Sequence, residues 1–113
     1  MTIQEFGTIM QEKIPVKILL LNNEYLGMVR QWQQLFFEKR YSFTHMKSPN
    51  FIKLADSYGI SGEKVIERKK LDEALDKFIN FNGPYLLEVK VEKEDNIFPM
   101  VVTGTSVDEV RLE

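Results

Sequence analysis

The sequence has no cysteine, one histidine (His45), four prolines and no uninterrupted apolar run longer than Ile18 to Leu21. Each shortage removes a class of protein. Without cysteine there is no disulfide scaffold, no thiol nucleophile and no Cys-type zinc site. A single histidine supports neither a His-rich metal centre nor a Ser-His-Asp triad. The apolar run falls far short of the roughly 20 residues of a membrane helix, so no membrane partner is expected. No basic-then-apolar leader precedes it, which makes the cytoplasm the expected compartment. An excess of one charge is missing too: 15 Lys+Arg against 17 Asp+Glu leave a net charge of −2, with no electrostatic case for nucleic acid. No repeat or Gly/Ser linker divides the 113 residues, and 43% hydrophobic with 12% aromatic residues is the composition of one globular domain.

The pattern that remains is helical and strand-like by turns. Thr2-Ile3-Gln4-Glu5 has capping-box spacing, with the Thr2 hydroxyl expected to accept from the Glu5 amide and with Met1 and Phe6 in hydrophobic-staple positions. Ile3, Phe6 and Met10 share a helical face, and Pro15 forbids helix beyond Ile14. A helix so close to the first residue predicts that sequence precedes it. Val16 to Leu21 is a nearly continuous apolar run ending in Asn22-Asn23, the pattern of a parallel strand covered by helices on both faces. Tyr25, Met28, Val29, Trp32, Leu35 and Phe36 recur at helical spacing, which predicts a core stripe with Arg30, Gln31, Gln33 and Gln34 mostly on the other side.

Arg40 to Lys47 reads as a loop. Ser48-Pro49 fits an N-cap with proline in the first turn, and the stripe Phe51, Leu54, Ala55, Tyr58 ends at Gly59. A short strand is expected at Lys64 to Ile66, and a helix through Leu71, Ala74, Leu75 and Phe78. Asn82-Gly83-Pro84 is a turn, and Tyr85 to Val91 is a strand with Leu87, Val89 and Val91 on one face, followed by a tail from Asn96. The order α-β-α-α-β-α-β implies an α/β domain with a parallel sheet and right-handed crossovers. Three strands make a thin sheet, and the first one needs more cover than the rest of the chain supplies.

Ligands of open α/β sheets collect at the carboxyl ends of the strands. Asn22-Asn23 and the following Glu24-Tyr25-Leu26-Gly27 occupy such an end, where amide and carbonyl oxygens suit a hard cation such as Mg²⁺. On spacing alone a plain turn is the better explanation of the pair, because Asn tolerates left-handed backbone. The aromatic stripe reads as core, with Trp32 among glutamines a candidate pocket wall. Arg68-Lys69-Lys70 opens a helix with charge opposed to its dipole, and a solvated turn is expected there ahead of a phosphate contact. Glu88, Glu92, Glu94 and Asp95 read as an acidic, solubilising edge rather than an acid–base pair. His45 reads as a loop residue.

As a string, Leu21-Asn22-Asn23-Glu24-Tyr25-Leu26-Gly27-Met28-Val29-Arg30-Gln31-Trp32-Gln33 resembles the thiamine-diphosphate domain of acetolactate synthase catalytic subunits. The resemblance continues in Leu35-Phe36-Phe37, Arg40-Tyr41-Ser42, Pro49 to Ala55, Gly83 to Val89 and Asn96 to Val101, so that it covers essentially the whole chain. It implies a partial three-layer α/β fold, a parallel sheet with helices on both faces, spanning residues 1–113 as an incomplete thiamine-diphosphate-binding domain with a tail from about 96.

It further implies thiamine diphosphate and Mg²⁺ as cofactors, FAD held by a domain outside this chain, and condensation of pyruvate with pyruvate or 2-oxobutyrate in branched-chain amino acid biosynthesis. By the same resemblance Asn23 gives its amide oxygen and Tyr25 its carbonyl to the metal. Leu26, Gly27 and Met28 approach the cofactor, and Met28 and Trp32 line the substrate pocket.

The family's Gly-Asp-Gly triplet, its activating Glu and its middle domain are not in these residues. The resemblance therefore predicts a C-terminal portion of the enzyme, with no catalytic residue of its own and no synthase activity alone. Its expected partners are the remaining domains of the catalytic subunit, a second catalytic subunit, the 2-oxoacids and, in the biosynthetic members that the Met-Val-Arg-Gln-Trp-Gln form leans towards, a regulatory small subunit. A stand-alone, non-catalytic binding or assembly module derived from that domain is the alternative, and a functionless remnant the third.

Overall fold

A computed structural model describes residues 2–112, which divide into two units, one of residues 2–23 and 47–91 and the other of 24–46 and 92–112. The first unit holds the sheet. Its elements are α1 (Glu5–Glu12), β1 (Lys17–Asn22), α3 (Phe51–Ser57), β2 (Ser61–Val65), α4 (Leu71–Asn80) and β3 (Tyr85–Lys90). The second unit holds α2 (Gly27–Phe36) and a two-stranded antiparallel pair, β4 (Met100–Val101) with β5 (Val110–Arg111), which the tail's sequence does not announce. No helix among the described residues is long and apolar enough to cross a membrane.

In the first unit all pairing is parallel, in the order β1-β3-β2. β3 is the central strand, and alternation sends its side chains to two cores. Leu86 packs with Phe6 and Ile9 of α1 and Ala55 of α3, whereas Tyr85 and Leu87 pack with Ala74 of α4 and Val65. Helices thus cover both faces of β3, as the α/β reading expects. They do not cover both faces of β1. Leu19 and Leu21, in register with Leu87 and Val89 on the α4 side, are 48% and 63% exposed.

Several local expectations hold for the reasons given. Gly59 adopts φ +66° after α3, the left-handed conformation a glycine supplies without steric cost. The Asn82-Gly83-Pro84 turn is tied down by Lys17, whose Nζ donates to the carbonyls of Phe81 and Gly83 at 2.6 Å each. Others are corrected. The Glu5 amide donates to the Thr2 carbonyl rather than forming a capping box, and α1 starts at Glu5 with Gln4 in the cap position. The Met1 half of the staple lies outside the described residues. α1 stops at Glu12, ahead of Pro15, because Lys13 turns left-handed at φ 52°. The cap of α3 is Asn50, whose Oδ1 accepts from the Lys53 amide at 2.9 Å, so Ser48-Pro49 precedes the helix rather than opening it. The expected strand at Lys64–Ile66 begins earlier, at Ser61.

Arg68-Lys69-Lys70 forms one 3-10 turn leading into α4. Its lysines reach Glu67 at 2.8 Å and 3.7 Å, so a solvated turn accounts for them. The Lys69 ammonium, with help from Lys70, holds the Glu67 carboxyl below its usual range. On the α4 face the Tyr85 hydroxyl donates to Glu63 at 2.9 Å. Burial is the larger reason, and this bond the second, that the phenol is held above its ordinary value.

Gly62 occupies the one strand position where a side chain cannot fit, since a Cβ there would lie 2.5 Å from the Leu86 carbonyl oxygen. Gly7, in α1, has nothing within 4 Å of the equivalent point. Gly62→Ala is therefore expected to destabilise the chain by about 1–3 kcal/mol through overpacking. Gly7→Ala is expected to stabilise it by about 0.5–1 kcal/mol through helix propensity. Urea denaturation followed by circular dichroism checks both, and equal midpoints for the two variants would contradict the register of β2 on β3.

Candidate functional site

The carboxyl end of β1 is where the sequence placed its candidate site, and β1 ends at Asn22. Asn22 is buried; its Nδ2 donates to Glu88 Oε1 at 2.8 Å and its carbonyl accepts from the Val91 amide at 3.2 Å. Asn23 follows half-buried, the first residue beyond the strand. The left-handed residue of this turn is Glu24, φ 60°, not an asparagine. A non-glycine residue held there is disfavoured by about 1 kcal/mol, so its surroundings must impose it.

In the second unit, the entry to α2 is pinned by a short antiparallel pairing. The Leu26 amide donates to the Thr44 carbonyl at 2.8 Å, and the Met46 amide to the Glu24 carbonyl at 2.7 Å. Between them Tyr25 bridges His45, ring edge to ring face at 5.2 Å. His45 thus shapes the approach to α2 instead of being an incidental loop residue. Leu26 is the cap residue and Gly27 the first residue of α2, so the helix's unbonded amides begin at Gly27 and Met28, and no acidic side chain sits in that turn. A helix start of this kind favours an anion such as a diphosphate.

The faces of α2 are the reverse of the expectation. Arg30 and Gln31 are its buried residues, while Met28 and Val29 are 57% and 48% exposed. The reason is amide chemistry. A glutamine side chain offers the same donor–acceptor pair as a peptide group. Gln31 uses it on Ile97, donating to the carbonyl at 3.0 Å and accepting from the amide at 2.9 Å. Gln33 does the same to Ser42, donating at 2.9 Å and accepting at 3.1 Å. Arg30 stacks 4.8 Å over the Tyr41 ring and 5.8 Å from that of Tyr25, bonds Gln34 at 3.0 Å and reaches Glu94 at 3.6 Å. The polar residues of α2 therefore fasten the 40–46 loop and the tail. Of its apolar stripe, Met28, Val29 and Phe36 are exposed, and Trp32 and Leu35 are half-buried.

Trp32, its ring tilted against that of Phe36 with centroids 5.2 Å apart, lines a cavity of about 360 Å³ with Val29, Gln33, Phe37 and Arg40. Met28 is outside that lining. Glu92 lies at the root of the tail, where the Lys93 and Glu94 amides hold its carboxyl below the usual range. Among the described residues, no group of three or more His, Cys, Asp and Glu could hold a metal ion. The donors at the end of β1 are amide and carbonyl oxygens, hard ligands of the kind that Mg²⁺ takes.

Residues 1–89 match the family described as thiamine pyrophosphate enzyme, C-terminal TPP binding domain. The chain belongs to this family. Over 109 residues, 96% of its length, it is 50% identical to the mitochondrial acetolactate synthase catalytic subunit of Saccharomyces cerevisiae, covering 16% of that protein. Over 111 residues, 97% of its length, it is 45% identical to the acetolactate synthase isozyme 2 large subunit of Escherichia coli, covering 20% of it. The mitochondrial acetolactate synthase of Schizosaccharomyces pombe is 50% identical over 107 residues, 95% of this chain and 16% of the relative. The chain thus spans between one-sixth and one-fifth of the curated relatives it matches.

Two parts of this arrangement escaped the sequence reading. Glu88 is 2% exposed and paired with Lys64 at 2.8 Å, so it is no solubilising edge residue. An acid between Leu87 and Val89 in the strand destined for the sheet centre was the available signal. The glutamine clamps had none, since a buried and a solvated glutamine look alike in sequence.

Gln31→Ala removes both bonds to Ile97. At about 1 kcal/mol per bond, hydrogen exchange of the Ile97 amide is expected to rise roughly tenfold or more. The Ser42 amide, held by Gln33, is expected to keep its protection. Exchange mass spectrometry or NMR checks this, and equal acceleration at both sites would contradict separate clamps.

Proposed function

We propose that this chain is the C-terminal part of the thiamine-diphosphate-binding domain of an acetolactate synthase catalytic subunit, an incomplete domain over residues 1–113 whose tail begins near residue 96. The observation that carries the reading is the run from β1 into α2. Asn22-Asn23 stands at a strand's carboxyl end, and a glycine-led helix bearing Met28 and Trp32 follows it directly. Identity of 45% to 50% to acetolactate synthases over nearly the whole chain supports it. When bound, thiamine diphosphate supplies the electron sink for decarboxylating pyruvate and for joining the remaining two-carbon unit to a second 2-oxoacid.

This chain's share is to bind and orient. Asn23 Oδ1 and the Tyr25 carbonyl would ligate Mg²⁺, and backbone from Leu26 to Met28 would lie against the cofactor, with Gly27 allowing the close approach. Trp32 and Met28 would wall the pocket for the second 2-oxoacid, pyruvate or 2-oxobutyrate. No group that moves a proton at the reacting atoms is assigned within this chain. Those groups, the carboxylate that completes the metal shell and the FAD site belong to the rest of the catalytic subunit and to a second copy of it. The uncovered α4-side face of β1 at Leu19 and Leu21 supports further cover of this kind. A regulatory small subunit and a cytoplasmic location belong to the same proposal; "mitochondrial" is said of fungal relatives and not of this chain.

The test is a graft. In the Escherichia coli isozyme 2 large subunit, the matching segment is replaced by this chain, and acetolactate formation from pyruvate is measured. The graft is expected to be active. Asn23→Ala within it is expected to lose saturable, Mg²⁺-dependent thiamine diphosphate binding, and the isolated chain to form no acetolactate. A folded graft that binds thiamine diphosphate and makes no acetolactate would contradict the proposal, as would acetolactate from the chain alone.

A further inference from the structure

Glu88 is the most deeply buried carboxylate among the described residues, 2% exposed in the middle of the central strand. In register it stands between Leu20 of β1 and Lys64 of β2. One oxygen, Oε1, takes a hydrogen bond from Lys64 Nζ and another from Asn22 Nδ2, each at 2.8 Å. A buried carboxylate is expensive, and a well-packed apolar pair at the same place is commonly neutral or stabilising by comparison. Sheet stability alone therefore does not account for an acid here.

Its partners suggest what does. Lys64 neutralises the charge, while Asn22 is the last residue of β1 and the one before Asn23. The carbonyl of Asn22 already accepts from the Val91 amide at 3.2 Å. The Glu88 bond adds a second attachment, on the side chain, which fixes how the chain leaves the sheet.

We propose that Glu88, neutralised by Lys64, is a positioning residue for Asn23: by gripping the Asn22 side chain it sets the end of β1 from which Asn23 presents its amide oxygen. The inference rests on the reading of Asn23 as a Mg²⁺ ligand. Residues that orient metal ligands through such contacts typically change metal affinity about 10–100-fold when replaced.

The test uses the isotope-labelled 113-residue chain and NMR of the asparagine side-chain amides. Lys64→Met with Glu88→Met removes both charges together, which keeps the sheet folded. In this double variant, Asn22 side-chain exchange is expected to rise about tenfold and the Asn23 side-chain signals to shift or split, while α3 and α4 amides stay put. Glu88→Gln keeps an acceptor for Asn22 and is expected to leave Asn23 near its original position. Unmoved Asn23 signals in the double variant would overturn the proposal, and so would equal displacement in Glu88→Gln.

The same variants in the grafted enzyme separate this idea from the one beneath it. The Mg²⁺ concentration for half-maximal thiamine diphosphate binding is expected to rise about 10–100-fold in the double variant. If Asn23 moves and that concentration does not, Glu88 stands as the positioning residue of the strand end, and the metal role of Asn23 falls.

Discussion

Parallel pairing of β3 with both of its neighbours is the constraint on which the larger unit depends. Each of that unit's two core clusters includes residues of β3, whose alternation assigns α1 and α3 to one face and α4 to the other. Parallel sheets are stable when both faces are covered. β3 meets that condition, but β1, at the edge, meets it on one face alone. The candidate site therefore grows from a strand with one uncovered face, and Glu88 grips the end of that strand.

The second unit solves a related problem with side-chain amides. Gln31 and Gln33 each close a two-bond pairing with a distant peptide group, as though adding one residue of strand to a helix surface. Trp32 lies between them in sequence and is turned to a cavity rather than to a core. That division leaves apolar surface on α2 without cover from its own unit. In a helix that spent Val29 and Trp32 on its own core, the cavity would not exist.

The same division explains what could and could not be read from the sequence. β1, β3 and α4 follow from period and apolar density, although Glu88 is buried in β3 and Leu19 and Leu21 are exposed in β1. α2 does not. Its apolar stripe obeys helical spacing perfectly well, yet the buried residues are Arg30 and Gln31, since paired polar groups can occupy an interior as well as leucine does. The position of Asn22-Asn23 at a strand end was legible, whereas the partner that holds it, Glu88, comes from a strand 66 residues away. Contacts of that separation leave no trace in local pattern. The two-residue strands of the tail are too short for alternation to declare them.

The central claim, that the end of β1 presents Asn23 to a metal-bound diphosphate, is most directly tested by a crystal structure of the grafted enzyme with thiamine diphosphate and Mn²⁺ in place of Mg²⁺. The account predicts an anomalous peak bonded to Asn23 Oδ1 and to the Tyr25 carbonyl, at a distance near the ~2.0–2.1 Å of a Mg²⁺–oxygen bond. A manganese peak elsewhere, with Asn23 outside its shell, would contradict it.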